Sequence, residues 1–489
     1  MFHISTNSCK KFFSRNVKSC GVDGKPIPWM SLRMRNIAML FIIVAASLAG
    51  GLYAGYQRGS VDSQLQFSPI VDQLTEKIAN VTAENEALRK DLPSIAGRTI
   101  KIGYIAPETY PYTSIGIVVP VYSTAKPFIE KVIQPDINAY AQSLGSNVRF
   151  EFVIMDAMGQ ANTHLELVQK LHSMGVDVFI GAGWSSQGCA TMAYVNIHKM
   201  LMMSPSSTSP SCAVAYDRFF RMCPADTAQA PALANVIWSY GIKELVLIQR
   251  GDSYGDGLVN QFVPEYTKLG GVVGQPIRYQ LTDDPTLSDV DFCSYLQQGR
   301  DQAQEAITRM GGDTGRVGVL LIAYDEAARI IKQASQCDIL YNLIWFGSDS
   351  IAKSQVITSD APLEANHLRL FSPLAREPDS IKYLDLKARF VEATGSEFSI
   401  YQAYLYDAAH VLAKTIIEIG SDNATKVTSA LTGVCENTYG TSGWLRLNEY
   451  GDRAPPPYDI WYYAPEATKP SDSHYAGTYN PDTLITTWN

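Results

Sequence analysis

Two apolar runs that each end in a cluster of small and hydroxyl-bearing residues constrain the fold of this chain most strongly. Residues 176–180 lead into Gly181-Ala-Gly-Trp-Ser-Ser186, and residues 200–203 lead into Ser204-Pro-Ser-Ser-Thr-Ser-Pro210. In an open parallel α/β sheet, such strand ends line the crevice where ligands bind, and the next helix offers free N–H groups to an anion. The pattern therefore predicts a carboxylate-binding cleft, although Ser/Pro-rich turns also simply terminate strands.

Strand-like and helix-like segments alternate along most of the chain. Apolar runs at residues 100–105, 150–156, 245–249 and 318–322 are each followed by a segment of helical character. This alternation is typical of an α/β fold with parallel sheets. A chain of 489 residues, 46% of them hydrophobic, is long enough for two or three domains with cores of their own.

The order of these landmarks resembles that of the type I periplasmic solute-binding proteins, the family of the leucine/isoleucine/valine-binding proteins of branched-chain amino acid ABC transporters. Further landmarks are Gly251-Asp-Ser-Tyr-Gly-Asp-Gly257, Ala323-Tyr-Asp-Glu326 and Ile344-Trp-Phe-Gly347. The resemblance implies two doubly wound parallel-sheet lobes joined by a hinge. It places ligand-binding lobe 1 at residues 98–222 and 349–440 and lobe 2 at residues 223–348 and 441–466. Residues 467–489 depart from the family pattern, and their polar, aromatic-rich composition predicts a flexible tail.

The same resemblance implies a ligand site between the lobes. In amino-acid-binding members, hydroxyls and N–H groups after two first-lobe strands hold the α-carboxylate, a task that suits several converging donors. Asp325 and Glu326 match the second-lobe acid that holds the α-ammonium, although acids there also favour the start of the next helix. Tyr254 matches an aromatic that packs on the ligand. The remaining positions are Ser185, Ser186, Ser206, Ser207 and Thr208 for the carboxylate, and Trp184, Tyr110 and Tyr112 for the first-lobe wall.

Charge and motifs argue against nucleic-acid binding and against catalysis. A net charge of −8 does not supply the concentrated Lys and Arg that phosphate backbones require. The segment Gly181-Ala-Gly-Trp-Ser-Ser-Gln-Gly188 imitates a dinucleotide loop, but its spacing is not G-x-G-x-x-G and no acid ends the next strand. The sequence has no G-x-S-x-G, H-E-x-x-H or P-loop motif and no C-x-x-C spacing. We expect neither an enzyme nor a cofactor or metal site.

The N-terminal region predicts a membrane anchor. Residues 36–57 contain no charged residue, and the run is long enough to cross a bilayer. Seven Lys and Arg residues precede it against one acid, Asp23, so residues 1–35 are expected in the cytoplasm and the body outside the cell membrane. The competing interpretation is a signal peptide cleaved after the small residues 47–49.

The segment that follows the apolar run has the spacing of a coiled coil. From Phe67 to Leu92, apolar residues recur alternately four and three positions apart, with Asn85 on the seam and charged residues outside it. Residues 60–93 are therefore predicted to form a stalk through which the chain self-associates. The alternative is a single amphipathic helix that lies on the domain.

Six cysteines lie in the part of the chain predicted to be outside. Cys189 falls in the first turn of the helix after the first hydroxyl cluster, and Cys212 follows the second cluster. Because adjacent parallel strands bring these two loops together, we expect a disulfide between Cys189 and Cys212. For the other four cysteines the sequence favours no pairing.

The functional expectation is a membrane-anchored, single-pass protein that captures an amino-acid-like solute and delivers it to an ABC permease. Two alternatives stay open. The same fold serves as the ectodomain of ligand-sensing receptors, and a related cleft binds amide- or urea-type solutes.

Overall fold

The computed structural model describes residues 95–112, 117–120, 124–282, 287, 289–463 and 473–489. The predicted cytoplasmic segment 1–35, anchor 36–57 and stalk 60–93 lie outside these residues. No helix in the described part of the chain combines the length and the apolar character that a bilayer span requires.

Strands and helices alternate through most of the described chain, as the sequence predicts. The strands are β1 Thr99–Ala106, β2 Thr109–Tyr112, β3 Ile117–Pro120, β4 Arg149–Asp156, β5 Val178–Gly181, β6 Leu201–Ser204, β7 Phe219–Pro224, β8 Glu244–Arg250, β9 Val272–Val273, β10 Ile277–Tyr279, β11 Val317–Ile322, β12 Ile344–Gly347, β13 Ser372–Ala375, β14 Tyr439–Gly440, β15 Gly443–Trp444, β16 Asp452–Arg453, β17 Tyr458–Tyr462, β18 His474–Asn480 and β19 Ile485–Trp488. The helices are α1 Ala125–Phe128, continued by a π-helical turn Ile129–Ile133 into α2 Gln134–Ser143, then α3 Ala161–Ser173, α4 Ser185–Ile197, α5 Asp226–Tyr240, α6 Ser253–Lys268, α7 Cys293–Arg309, α8 Ala327–Ala334, α9 Asp338–Tyr341, α10 Gln355–Asp360, α11 Pro362–His367, α12 Ile381–Thr394, α13 Ile400–Ile419 and α14 Ala424–Glu436.

The first lobe is built on a six-stranded sheet with the order β16-β7-β6-β5-β1-β4. Its central strands pair in parallel, with Val178 opposite Leu201 and Met202 opposite Phe219. Every residue of β5, β6 and β7 is buried. Continuous apolar strands are expected where helices cover both faces of a parallel sheet. The loops after β5 and β6 consequently leave the same edge of the sheet side by side.

The second lobe is built on a parallel sheet with the order β10-β8-β11-β12, with β9 added beside β8. All residues of β8 and β11 are buried, and two apolar clusters cover this sheet. The loops after β8, β11 and β12 end at one edge of this sheet. Asp252 begins α6 by accepting hydrogen bonds from Tyr254 N and Gly255 N at 3.1 and 3.0 Å, as an N-cap residue does.

A flexible tail was expected at residues 467–489. Residues 473–489 instead form two strands of a four-stranded antiparallel sheet with the order β13-β17-β18-β19. Residues 473–489 supply β18 and β19, in which Tyr479 is buried and Trp488 Nε1 donates to Ser239 Oγ at 3.0 Å. The physical reason is alternation, because Gly477 and Tyr479 face the core while their neighbours are less buried. Because this segment is polar and rich in aromatic residues, its composition does not reveal the two-residue alternation of buried and exposed side chains.

The structure also divides the chain between the lobes differently from the predicted boundaries. Ile351, Ile357 and Leu370, expected in lobe 1, pack in the core of the second lobe. Residues Asp452–Arg453, expected in lobe 2, pair with β7 of the first sheet. Apolar helices of similar composition serve both lobes, so sequence alone does not tell which core each one covers.

A second, smaller compact unit is formed within the described chain. It consists of residues 95–98, 139–149 and 416–421. Within it, Gly97 N donates to Asn147 Oδ1 at 2.8 Å and Arg149 N donates to Arg98 O at 3.0 Å.

Candidate ligand-binding site

Hydrogen bonds tie the two hydroxyl loops of the first lobe together. Ser204 Oγ donates to Ala182 O and Ser206 Oγ donates to Gly183 O, each at 2.7 Å. Ser209 N donates to Ser185 Oγ at 3.2 Å. The two loops therefore form one preorganised rim at the edge of the sheet, beside the N-terminus of α4.

A disulfide joins Cys189 to Cys212 across the same loops. These are the two cysteines that the sequence predicts to pair. Cys189 lies on α4 and Cys212 closes the short 3₁₀ turn Pro210–Cys212, so the bond fixes the second loop to the helix that follows the first. The described free cysteines are Cys223, Cys293, Cys337 and Cys435.

The predicted carboxylate-binding residues occupy different environments. Thr208 Oγ1 donates to Asp226 Oδ2 at 3.1 Å. Ser185 is buried in the first turn of α4, and Ser186 beside it is partly exposed. Ser207 Oγ has no hydrogen-bond partner among the described residues and lies 3.1 Å from where a Cβ on Gly188 would stand, so it faces α4.

Two buried acids that the sequence analysis did not select lie at the centre of the site. Asp226 follows β7 and Asp349 follows β12. Gln229 connects them, since its Nε2 donates to Asp226 Oδ1 at 2.8 Å and its Oε1 accepts from Asp349 N at 2.9 Å. The network brings together an acid from the end of the first sheet and one from the end of the second.

Two tyrosine hydroxyl groups donate hydrogen bonds to Asp349, the second of these acids. Tyr254 OH donates to Asp349 Oδ1 at 3.0 Å, and Tyr401 OH donates to Asp349 Oδ2 at 2.7 Å. Tyr254 thus lies in the predicted neighbourhood. Tyr401 comes from α13, far away in sequence.

Burial raises the pKa of both acids. Desolvation raises the pKa of Asp226 well above its usual value, and the nearby charge of Asp349 raises it further. Desolvation also raises the pKa of Asp349, against the opposing effect of the hydrogen bonds from Tyr401 and Tyr254. No ion pair among the described residues includes either carboxyl group. Burial therefore disfavours the anionic form of both carboxyls unless a cation reaches them.

The two acids expected to bind an ammonium lie elsewhere. Glu326 is buried and forms an ion pair with Arg250 at 2.6 Å, and Tyr279 OH donates to its Oε1 at 2.6 Å. Its negative charge is therefore already neutralised inside the second lobe. Asp325 accepts a hydrogen bond from Ser354 Oγ at 3.4 Å, and burial raises its pKa to about 6.

Aromatic rings form a column between the lobes. Trp184 of the first lobe lies 5.5 Å from Tyr324, ring centre to ring centre, and Tyr324 stacks on Tyr254 at 5.0 Å. The guanidinium of Arg250 lies 3.7 Å from the centre of the Tyr324 ring. Trp184 and Tyr254 were predicted and Tyr324 was not. Tyr110 and Tyr112 lie on β2, and their side chains are outside the described part of the structure.

Both missed acids could have been found from position alone. Asp226 ends the run Phe219-Phe-Arg-Met-Cys-Pro-Ala-Asp226, and Asp349 stands two residues after Gly347. Acids just beyond the carboxyl end of a parallel strand are candidates for the ligand crevice. The matched family motif drew attention to Ala323-Tyr-Asp-Glu326 instead. Among the described residues, no cluster of His, Cys, Asp and Glu could hold a metal ion.

The two lobes touch at the rim. Ser209 Oγ of the first lobe donates to Ser253 O of the second at 2.6 Å. Gly257 of α6 faces the same serine, and a Cβ placed on it would overlap Ser209 Oγ and lie 3.3 Å from Pro210 Cδ. The absence of a side chain at Gly257 therefore permits the close approach of α6 to the hydroxyl loop.

Replacing Gly257 by alanine is expected to hold the lobes apart and weaken ligand binding about tenfold, equivalent to about 1.4 kcal/mol. Isothermal titration calorimetry measures the change. Gly433→Ala in α14 is the matched control, because a Cβ there meets nothing within 4 Å. Equal affinity of wild type and Gly257→Ala would show that this contact plays no part in closure.

Comparison with known families identifies a ligand-binding region. The family model described as "Receptor family ligand binding region" matches residues 135–466. An uncharacterised protein of Methanocaldococcus jannaschii is 27% identical over 357 residues, which cover 70% of this chain and 82% of that protein. Glutamate receptor 2.5 of Arabidopsis thaliana is 25% identical over 54% of this chain, and the match spans only 27% of the receptor.

Solved structures share the fold. The leucine-binding protein LivK of Thermotoga maritima has a TM-score of 0.58 at 20% identity, covering 78% of this chain and 99% of LivK. LivJ of Streptococcus pneumoniae, solved with isoleucine, has a TM-score of 0.58 at 17% identity, covering 80% and 100%. A solute-binding protein of an R. palustris ABC transporter, solved with benzoate, has a TM-score of 0.59 at 16% identity, covering 80% and 98%.

Proposed function

We propose that this chain, which belongs to the family of receptor ligand-binding regions, is an extracytoplasmic solute-binding protein that closes two lobes around a zwitterionic α-amino acid. The solute is bound where the strand ends of the two sheets face each other. The first lobe binds the carboxylate of the solute, and the acids Asp226 and Asp349 bind its ammonium group.

The observation that carries this proposal is the buried pair Asp226 and Asp349. Two neighbouring carboxylates are costly to bury as anions unless a cation compensates them. Their charge is not neutralised by an ion pair from the described residues, whereas Glu326 has Arg250. An ammonium group offers one positive charge and three donors, which suits two acids that share a site. We therefore assign the ammonium to Asp226 and Asp349 instead of to Asp325 or Glu326.

The hydroxyl rim supplies the complementary half of the site. Thr208 donates a hydrogen bond to Asp226, so the proposed partner of the ligand carboxylate lies beside the proposed partner of the ligand ammonium. An amino acid carries these two groups on one α-carbon and requires such adjacent partners. The N-terminus of α4 at Ser185 and Ser186 adds backbone N–H groups and the positive end of the helix dipole. A ligand with only one of the two charged groups would leave half of the site unmatched.

The aromatic column favours an apolar or aromatic ligand side chain. Trp184, Tyr324 and Tyr254 present ring surface where the lobes meet. Aromatic walls contribute apolar contact area, and the hydroxyls of the tyrosines can still reach polar groups.

Membrane attachment and transport complete the proposal. The apolar segment 36–57 would anchor the protein with its body outside, and the predicted stalk would hold the lobes away from the bilayer. Solute-binding proteins of ABC transporters, among them the R. palustris protein, share this fold. We propose accordingly that the bound amino acid is delivered to an ABC permease.

A second candidate function is ligand sensing. The relatives include plant glutamate receptors and metabotropic glutamate receptor 4 of Rattus norvegicus, each of which matches only over part of its length. Closure of the same cleft could then be transmitted to another protein. Uptake of labelled amino acid by cells with and without the gene separates the two functions, because a sensor leaves the uptake rate unchanged.

The binding proposal is tested by titrating the full chain in a calorimeter with the common α-amino acids, urea, short amides and sugars. At least one α-amino acid is expected to bind at micromolar or tighter concentrations. Binding of a sugar or of urea, with no heat from any amino acid, would overturn the proposal and leave the fold unaffected.

Affinity is expected to fall as the solution is acidified from about pH 8 to about pH 5. Because the pKa values of Asp226 and Asp349 are raised, these carboxyls take up protons at a higher pH than ordinary surface acids do. A protonated carboxyl no longer attracts the ammonium, which itself stays charged throughout. Binding at neutral pH should therefore release protons, seen as a dependence of the binding enthalpy on buffer ionisation. Affinity that stays constant across the range would contradict an ammonium–acid contact.

A further inference from the structure

A fully buried histidine lies behind the first hydroxyl loop. His164 belongs to the face of α3 that packs inside the first lobe, and it is 0% exposed. Its Nε2 accepts a hydrogen bond from Ala182 N at 2.9 Å, and its Nδ1 lies 2.8 Å from Thr191 Oγ1 on α4. The imidazole therefore connects α3, α4 and the turn that joins β5 to α4.

These two hydrogen bonds fix the chemical form of the imidazole. A backbone N–H can only donate, so Nε2 is the nitrogen without a proton and Nδ1–H donates to Thr191 Oγ1. Burial lowers the pKa of His164 to about 3, because the interior of the lobe disfavours the charged imidazolium. The ring consequently stays neutral at physiological pH and keeps its acceptor for Ala182 N.

The residue that His164 holds has an unusual backbone conformation. Ala182 has a φ of 63°, in the left-handed region that residues with a Cβ seldom adopt. Such a conformation persists where surrounding contacts impose it. Here His164 accepts from Ala182 N, and Ser204 Oγ donates to Ala182 O at 2.7 Å. A Cβ on the neighbouring Gly181 would stand 3.2 Å from His164 Nε2, so glycine at that position permits the close approach of the imidazole.

We propose that His164 is a positioning residue for the carboxylate of the ligand. It acts through Ala182 N, which it holds in the conformation that leads the chain into Trp184 and the N-terminus of α4. The inference rests on the proposed function, in which the N–H groups of that helix terminus and the neighbouring hydroxyls bind the carboxylate. His164 lies behind the loop and does not itself contact the ligand. Without it, Ala182 N is buried without an acceptor, and the left-handed turn loses one of its two anchors.

Two substitutions of His164 each keep one of its two hydrogen bonds. In His164→Gln, the side-chain oxygen takes the place of Nε2 and accepts from Ala182 N. In His164→Asn, the shorter amide takes the place of Nδ1, donates toward Thr191 and leaves Ala182 N without an acceptor. Both variants lose the aromatic ring, so they form a matched pair, and thermal melting checks that each is folded.

The measured quantity is the preference of the full chain for a carboxylate. Calorimetry gives the affinity for the common α-amino acid that binds most tightly and the affinity for the amine that lacks only its carboxylate, which is isopentylamine in the case of leucine. The ratio of these affinities isolates the carboxylate contact. A role in stability alone lowers the melting temperature of a variant and leaves this ratio unchanged.

His164→Asn is expected to reduce the ratio at least about tenfold, because it frees the turn that places the carboxylate donors. His164→Gln is expected to keep the ratio within about threefold of wild type. The affinity for the amine alone should be the same in both variants. Thr191→Val is a further control, since it removes the other hydrogen bond of the imidazole and should leave the ratio unchanged.

Gly181→Ala tests the inference with His164 in place, and decides it if His164→Asn does not fold. The added Cβ presses on His164 Nε2 and should lower the ratio at least about threefold. A wild type that binds the amino acid and the amine equally well contradicts the carboxylate site, and with it the proposed function. A clear preference in wild type that a folded His164→Asn retains, or that Gly181→Ala retains where His164→Asn is unfolded, overturns the role of His164 alone.

Discussion

Asp349→Asn is expected to weaken α-amino acid binding by at least a hundredfold. The substitution keeps the shape of the side chain and the acceptor for one phenol, but it removes the charge that we assign to the ligand ammonium. Breaking a buried ion pair by removing one partner costs about 3–5 kcal/mol, and every 1.4 kcal/mol is a factor of ten in affinity. Calorimetric titration gives the dissociation constant directly.

Two controls separate the charge from the fold. Tyr401→Phe removes only the hydroxyl that donates to Asp349 Oδ2 and should weaken binding by about tenfold or less, since a typical intramolecular hydrogen bond contributes about 0.5–1.5 kcal/mol. Asp360→Asn changes an exposed acid of the same lobe and should leave affinity unchanged. If Asp349→Asn binds amino acids as tightly as wild type while Glu326→Gln does not, the ammonium assignment is wrong.

Asp452→Asn is expected to lower the free energy of unfolding by about 3–5 kcal/mol. Asp452 forms a two-point ion pair with Arg221 at 2.5 and 2.7 Å, and the two side chains are only 6% and 1% exposed. Arg221 Nη1 also donates to Ser209 O at 2.5 Å, so the same pair supports the hydroxyl rim. Loss of the acid leaves a guanidinium buried without its counter-charge. Urea denaturation measures the change.

The matched control is Glu436→Gln, which removes the ion pair between Glu436 and Arg446. Those side chains are 54% and 52% exposed, and exposed pairs contribute about 0–1 kcal/mol. Arg221→Met combined with Asp452→Leu should be less destabilised than Asp452→Asn, because neither charge is then left alone. A loss below about 1 kcal/mol for Asp452→Asn would show that water reaches the pair.

The sequence predicted those features that depend on neighbouring strands. The parallel α/β fold and the family are confirmed. The loops after β5 and β6 meet because β5 and β6 pair directly, and the disulfide between Cys189 and Cys212 follows from the same neighbourhood. Each of these relations follows from the pairing of two adjacent strands.

The acid pair depends on relations that no local pattern contains. Asp226 and Asp349 lie at the ends of strands in different sheets, and only Gln229 and the two phenols show that they share a site. Glu326 matched the family position for an ammonium partner, yet Arg250 at the end of β8 is its actual partner. A motif gives the place of an acid along the chain, but the partner that neutralises it is set by packing between distant segments.

The most direct test of the proposed site compares an α-amino acid with its des-amino analogue on the same protein. Calorimetry of the full chain at neutral pH, first with the tightest-binding amino acid and then with the carboxylic acid that lacks only the amino group, isolates the ammonium contact. We expect the amino acid to bind at least about a hundredfold more tightly, in keeping with the loss of one buried ion pair. We also expect the preference to shrink to less than about tenfold in Asp349→Asn, because that variant no longer has the full acid pair. Equal affinity of the wild type for the two compounds would contradict the role of Asp226 and Asp349 as the ammonium site.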